Sequence, residues 1–170
     1  MKRLIILGAG KYGREIEDIA EQINAFDEIN FLDDASDASC VIGKCADFEK
    51  YQNDRTDFYV AFGNNETRKK WCEILKSNNA CLVNIIHSTA YISPKAKLGS
   101  GVAVLPQAII NSYTKIGDGC MINSGAIVDH DCVIEDYSHI CVGAIVKADN
   151  KIPAGTKIEA GQVIERETYR

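Results

Sequence analysis

The chain has 170 residues, enough for one domain or two small ones. Hydrophobic residues make up 46% and charged residues 25%, an ordinary balance for a soluble globular protein. The net charge of −5 argues against a nucleic-acid partner, which needs a basic face. The first apolar run, 4–7, is too short for a signal peptide, and no run approaches the roughly 20 apolar residues of a membrane helix. We therefore expect a cytoplasmic protein that binds neither nucleic acid nor membrane.

The first half of the chain predicts strands alternating with helices. Apolar runs indicate strands over 4–7, 28–34, 57–65 and 81–87. One helix follows the first run after a glycine turn, with an apolar face that begins at Ile16. The segment 66–79 has helical spacing too, and we interpret the charges of 66–71 as a solvated face, with Arg68 a candidate for a phosphate contact. This alternation is typical of a parallel α/β sheet with crossovers.

A glycine pattern separates the first strand from the first helix. Gly8, Gly10 and Gly13 form GxGxxG, which allows a phosphate to approach the backbone at a helix N-terminus. Asp33 and Asp34 follow about twenty residues later, where a dinucleotide-binding fold places its ribose-binding acid. These residues alone leave open NAD binding and a tight turn that binds nothing. An α/β portion that ends near residue 86 is short for a complete dinucleotide domain.

The second half follows a six-residue period. The recurring position is always Ile, Leu or Val: Ile92, Leu98, Val104, Ile110, Ile116, Ile122, Val128, Ile134, Ile140, Val146, Ile152, Ile158 and Ile164. Two positions earlier stands a generally small residue. This period is that of the hexapeptide β-helix, in which about 18 residues make one coil. We predict about four coils, with the aliphatic side chains inward and recurrent glycines at turns of positive φ.

The period also predicts where the cysteines and histidines lie. Cys120 and Cys132 fall at inward small positions, and the seven cysteines contain no CxxC pair, so we expect reduced thiols rather than a zinc site. His130 falls at a turn and is followed by Asp131, whereas His139 points away from the core. Both histidines could be solvated surface residues, but an imidazole beside a carboxylate can also serve as a general base.

Five segments, in order, carry a resemblance that covers nearly the whole chain: "GAGKYG", "FLDD", "FGNNETRKK", "NIIHSTAYISPKA" and "HDCVIEDYSHICVGA". They resemble the bacterial nucleotide-sugar N-acetyltransferases that acetylate UDP-4-amino-4,6-dideoxy sugars, in the left-handed β-helix acyltransferase superfamily. The resemblance implies a Rossmann-like nucleotide-sugar domain over 1–86 and a left-handed parallel β-helix over 87–170. It also implies a homotrimer, with acetyl-CoA as co-substrate along the seam between subunits and no metal.

The resemblance assigns roles to individual residues of the β-helix. His130 corresponds to the general base, and Asp131 takes the place of the acidic residue that supports it. His139 matches a residue that contacts acetyl-CoA, and Ala160 lies where a backbone contact to CoA would fall. Asn123 matches an Asn near the acceptor.

The resemblance also assigns residues to the nucleotide sugar. The glycine loop would contact its phosphates, the two aspartates its nucleoside, and a glycine after the third strand would add another contact. These residues are Gly10, Lys11, Tyr12, Asp33, Asp34 and Gly63. Tyr12 departs from the family pattern, which commonly has His there, so the role of this position is open.

The implied reaction is a direct transfer in bacterial glycan or nonulosonic-acid biosynthesis. The sugar amine would attack the thioester while His130 takes up its proton, with a backbone N–H stabilising the oxyanion. Two alternatives stay open. One is O-acylation of a sugar hydroxyl; the other is a non-catalytic β-helix protein that binds a nucleotide sugar.

Overall fold

The computed structural model describes residues 2–169 and divides between Val83 and Asn84 into two compact units. The first unit is a five-stranded parallel sheet in the order β3-β2-β1-β4-β5. Its strands are β1 Arg3–Leu7, β2 Glu28–Leu32, β3 Val41–Gly43, β4 Thr56–Val60 and β5 Cys81–Leu82. From β1 the chain adds β2 and β3 on one side of the sheet and then returns to add β4 and β5 on the other side. The direction of the connections therefore reverses between β1 and β4. Ligands of open parallel sheets bind at the carboxyl ends of such strands.

Two helices lead away from those carboxyl ends. Helix α1, Lys11–Ile23, buries the predicted apolar face and ends at Asn24, whose φ of 54° is the left-handed conformation common after a helix. Helix α2, Asn65–Ser77, begins after Asn64, whose side chain accepts a hydrogen bond from the Thr67 N–H at 2.9 Å. A 3₁₀ helix, Cys45–Tyr51, connects β3 to β4.

The predicted single strand over 81–87 is wrong. Cys81–Leu82 pairs with β4, whereas Ile85–Ile86 pairs with Ala103–Val104 of the β-helix. Asn84 separates the two: its side-chain amide donates to the Gly99 carbonyl, and its carbonyl accepts from the Val102 N–H, each at 2.9 Å. The contacts therefore divide the chain three residues before the boundary expected at 86/87.

The second unit is a parallel β-helix of two-residue strands, β6 to β19, in three sheets. The strands are Ile85–Ile86, Tyr91–Ile92, Lys97–Leu98, Ala103–Val104, Ile109–Ile110, Lys115–Ile116, Met121–Ile122, Ile127–Val128, Val133–Ile134, His139–Ile140, Ile145–Val146, Lys151–Ile152, Lys157–Ile158 and Val163–Ile164. We call the sheet that starts at β6 the first face, that of β7 the second and that of β8 the third. Three strands make a coil, so β6–β17 complete four coils and β18 and β19 start a fifth. The predicted β-helix is confirmed.

The six-residue pattern is reproduced in burial and backbone conformation. The recurring aliphatic side chains from Val104 to Ile164 are at most 4% exposed, and Cys120 and Cys132 lie among them. The recurrent glycines occupy turns with φ between 60° and 70°. The same turn position holds residues with a Cβ in other coils, and Asp131 is one of them, at φ 57°. The left-handed region disfavours such residues, so these turns need support from their surroundings.

Candidate active site

His130 and Asp131 form a hydrogen-bonded pair on the turn between the second and third faces. The turn, residues 129–132, connects Ile127–Val128 to Val133–Ile134. The Nδ1–H of His130 donates to Asp131 Oδ2 at 2.8 Å. Since a carboxylate only accepts, this bond places the proton of the neutral ring on Nδ1 and leaves Nε2 as the basic nitrogen. Both side chains are about half exposed, so a substrate can reach them.

The surroundings make the His130 ring more basic. Its pKa is raised above the ordinary 6.5, first by the hydrogen bond to Asp131; desolvation acts to lower the pKa, and the negative charges of Asp129, Asp131 and Asp149 act to raise it further. The Asp129 carboxyl is pulled the other way: its partial burial acts to raise its pKa, but hydrogen bonds from the His130 N–H and Asn111 outweigh burial and lower it. Carboxylates thus face the imidazole from its own turn and from the next coil.

Asn123 and His139 form a second pair, with His139 on the first face and Asn123 in the turn that follows this face in the preceding coil. The side-chain amide of Asn123 donates to His139 Nε2 at 3.3 Å, while its carbonyl oxygen accepts from the Ser124 N–H at 2.7 Å. His139 is the first residue of β15 and is partly buried. The sequence did not predict this contact, because the two residues lie sixteen positions apart and meet only when adjacent coils stack.

The two pairs lie on different sides of the prism. His130 is on the turn between the second and third faces, the corner opposite the first face, which holds His139, whereas Asn123 starts the turn between the first and second faces. Ala160 is exposed on the turn between the first and second faces, where the following Gly161 N–H donates to the Val142 carbonyl at 2.9 Å. One chain therefore does not gather the residues predicted to bind CoA around His130.

The glycine loop of the α/β unit contains glycines of two kinds. Gly8 has φ 103°, and a Cβ on Gly13 would lie 2.0 Å from the Gly8 carbonyl oxygen, so both are required by the fold. A Cβ on Gly10, which caps α1, would meet nothing within 4 Å, and the same holds for Gly63, just before α2. Neither has positive φ. Intramolecular packing does not explain these two glycines, and the space beside both is open.

The two aspartates support the chain around this loop. Asp33 Oδ2 accepts from the Ala9 N–H at 2.7 Å, and its Oδ1 accepts from two backbone N–H groups of its own turn, those of Ala35 and Ser36. Partial burial acts to raise the pKa of the Asp33 carboxyl, but these donors and Lys44 outweigh it and lower the pKa. The side chain of Asp34 accepts from the Cys45 N–H at 3.0 Å. An open cleft of about 320 Å³ borders Asp33.

Tyr12 and Lys11 both lie in the first turn of α1, but the Tyr12 hydroxyl is bonded in the interior whereas Lys11 is exposed. The Tyr12 hydroxyl shares a 2.7 Å hydrogen bond with the hydroxyl of the fully buried Tyr59. Burial raises the pKa of the Tyr12 phenol well above its ordinary value, which disqualifies it as a base near neutral pH. Lys11 is exposed at the start of the helix, where a phosphate could reach it.

Arg68 overturns part of the predicted solvated face. Its side chain is fully buried, and the guanidinium donates to the Phe62 carbonyl at 3.0 Å and to the Asn65 side chain at 2.8 Å. It thereby shapes the loop between β4 and α2 that contains Gly63. The signal was present in the sequence: Arg68 shares a helical stripe with the buried Cys72 and Leu75, at intervals of four and three residues.

Among residues 2–169, no group of three or more His, Cys, Asp and Glu side chains could hold a metal ion. In the same part of the chain, no helix has the length and apolar character to cross a bilayer.

Known proteins match both units. The model of the PglD N-terminal domain matches residues 3–75, and that of the bacterial transferase hexapeptide (six repeats) matches 113–148. The solved acetyltransferase domain of PglB from Neisseria gonorrhoeae FA1090 is 28% identical, with a TM-score of 0.87 over 98% of this chain and 92% of that one. The same domain was also solved with acetyl coenzyme A, with a TM-score of 0.88.

A second similar structure is PerB from Caulobacter crescentus, solved in complex with CoA and GDP-perosamine. It is 27% identical, with a TM-score of 0.82 over 98% of this chain and 90% of that one. WeeI from Acinetobacter baumannii AYE, 17% identical with a TM-score of 0.63, shares the fold. This chain therefore has the fold of these structures: a parallel α/β unit similar to the PglD N-terminal domain, followed by a hexapeptide β-helix.

Proposed function

We propose that the chain is an acetyltransferase that moves the acetyl group of acetyl-CoA to the amino group of a nucleotide-linked amino sugar. The observation that carries the proposal is the His130–Asp131 pair, a histidine whose Nδ1 proton is held by a carboxylate on an accessible turn of a hexapeptide β-helix. The ligands named for the similar structures, acetyl coenzyme A and GDP-perosamine, support the chemistry. The finer proposal is N-acetylation of a UDP-linked 4-amino-4,6-dideoxy sugar.

His130 acts as the general base of a direct transfer. The neutral amine attacks the thioester carbonyl carbon and forms the C–N bond, while Nε2 of His130 takes a proton from that nitrogen. The tetrahedral intermediate then collapses, the C–S bond breaks, and the CoA thiolate leaves and takes up a proton. Asp131 keeps the ring oriented and stabilises the imidazolium that forms. The mechanism uses none of the cysteines.

The α/β unit binds the nucleotide sugar. Gly10 and Gly63 let the diphosphate approach the N-termini of α1 and α2, where backbone N–H groups and the helix dipole favour an anion. Lys11 adds a positive charge at the same loop. Asp33 and Asp34 order the segment next to the cleft proposed for the nucleoside.

A homotrimer completes the site. His139 lies on the face opposite the corner that carries His130, so acetyl-CoA contacts His139 of one copy and His130 of another. The outward positions of the second face are all apolar: Tyr91, Ile109, Ile127, Ile145 and Val163. Tyr91 is 54% exposed and Val163 is 45% exposed, so covering this column with a second copy buries apolar surface. The turn that carries His130 follows β13, which supplies Ile127 in the middle of this column.

The test is loss of transfer on removal of the base. His130→Ala is expected to lower the rate of thiol release from acetyl-CoA by about 10²–10⁴-fold with unchanged affinity for the nucleotide sugar. His87→Ala is the matched control, since the His87 ring is hydrogen-bonded to the N–H and hydroxyl of Thr89 and has no place in the mechanism. Full activity in His130→Ala would contradict the proposal, and binding without transfer by the unaltered protein would favour the non-catalytic alternative.

A further inference from the structure

One buried hydroxyl closes both ends of the turn that carries His130 and Asp131. Thr114, in the preceding coil, is 0% exposed. Its Oγ1 donates to the Asp129 carbonyl at 2.6 Å and accepts from the Cys132 N–H at 3.2 Å. Asp129 and Cys132 are the first and last residues of the four-residue turn. A single side chain therefore fixes the distance between the ends of this turn.

The interior of the turn is held by its neighbours as well. Asp129 Oδ1 accepts from the His130 N–H at 2.8 Å and from the Asn111 side-chain amide at 3.1 Å. The Asp131 N–H donates to the Ser112 carbonyl at 3.0 Å. The bonds to Asn111 and Ser112 come from the preceding coil, the same coil that contains Thr114.

The His130–Asp131 bond depends on the shape of this turn. Asp131 has φ 57°, a conformation that persists in residues with a Cβ only where the surrounding structure holds it. A bond between the side chains of adjacent residues is lost when either backbone rotates. Thr114 thus acts on the imidazole indirectly. Its hydroxyl holds the turn, and the turn holds the Asp131 carboxylate where it accepts the hydrogen bond from His130.

We therefore propose that Thr114 is a positioning residue, whose hydroxyl holds the turn so that Asp131 orients the His130 ring for proton transfer. The inference rests on the proposed function, in which the His130 ring accepts a proton from the substrate amine. Asn111 supports the same turn through its hydrogen bond to Asp129.

The chain contains a matched control. Ser138 is also 0% exposed, and its hydroxyl donates to the Pro153 carbonyl at 3.0 Å, the same fifteen-residue step as from Thr114 to Asp129. Its turn lies between the third and first faces, away from His130. Removing the Ser138 hydroxyl deletes the same kind of bond at a different corner.

The experiment compares Thr114→Val, which keeps the shape without the hydroxyl, with Thr114→Ser, which keeps the hydroxyl, and Ser138→Ala. For Thr114→Val we expect kcat to fall about 10- to 100-fold, because misplacing a reacting group by about 1 Å costs up to that much. The KM values for both substrates should stay near those of the unaltered enzyme. Thr114→Ser should restore kcat. Ser138→Ala should keep the kcat of the unaltered enzyme, even if its melting temperature falls as much as that of Thr114→Val.

A second readout does not require activity. NMR titration of the His130 ring, assigned with His130→Gln, reports its pKa, which the Asp131 bond raises with help from Asp129 and from Asp149, itself paired with Arg166. Thr114→Val should lower this pKa toward the ordinary value, and Asn111→Ala, at a partly buried site, should lower it less. Should Thr114→Val not fold, the shift in Asn111→Ala decides.

The outcomes separate the two proposals. An unaltered protein that transfers no acetyl group overturns the proposed function, while the titration still tests the hold of Thr114 on the ring. Unchanged kcat and unchanged His130 pKa in Thr114→Val, or equal changes in Ser138→Ala, overturn the positioning role.

Discussion

At the scale of single residues, the protonation of His130 sets the pH dependence expected of the reaction. Its pKa is raised in the folded chain, so folding gains stability from the protonated ring below the ordinary value of 6.5 and loses that gain as pH rises through the higher folded value. Catalysis needs the opposite form, the neutral ring. Activity should therefore rise with pH over the range in which this stabilisation is lost, with a midpoint above 6.5.

Replacing Asp131 by Asn should move that midpoint. Asp131→Asn keeps the shape but removes the charge that raises the pKa of His130, so the acid limb of kcat/KM should shift to lower pH. The maximal rate should fall by about 10- to 100-fold, because the ring loses its orientation. Rate–pH profiles of both proteins provide the comparison; an acid limb that stays in place would separate Asp131 from His130.

The sequence predicted the residues of this site better than their contacts. The period placed His130 on a turn, and its neighbour in sequence proved to be its hydrogen-bond partner. The role of Thr114 was hidden, because the pattern requires only a small inward residue at its position. Arg68 was misjudged because its charge was given more weight than its place on the buried stripe of α2.

At the scale of elements, the glycine loop should separate stability from binding. Gly13→Ala would place a Cβ 2.0 Å from the Gly8 carbonyl oxygen, so we expect a loss of about 1–3 kcal/mol in the free energy of unfolding. Gly10→Ala meets open space and should cost less than about 1 kcal/mol, yet weaken nucleotide-sugar binding about tenfold. Denaturant unfolding and calorimetric titration measure the two effects. Unchanged binding in Gly10→Ala would place the diphosphate elsewhere.

The strength of each pattern decided which elements could be predicted. The β-helix repeats one constraint many times, an aliphatic side chain that must point inward, so its strands follow from the period alone. The segment 81–87 carries no such repeat. Its apolar residues predict one strand, and only the side-chain bonds of Asn84 reveal that the chain leaves one sheet there and enters another.

At the scale of the whole molecule, activity should depend on assembly. Ile127→Glu puts a charge in the middle of the apolar column on the second face, where burial against another copy would be costly. We expect a folded monomer by light scattering and little acetyl transfer, because His130 and His139 of one chain face opposite ways. Lys115→Glu, on the exposed third face, is the control and should stay trimeric. A fully active monomer would contradict the shared site.

The measurement that tests the account most directly is thiol release from acetyl-CoA by the purified protein, with and without a 4-amino-4,6-dideoxy sugar linked to UDP or GDP. The account predicts release only when the acceptor is present, with a product heavier by one acetyl group and faster turnover of the UDP sugar. Faster turnover of the GDP sugar would correct the nucleotide and leave the reaction standing. No release with either acceptor, although both bind, would contradict acetyl transfer.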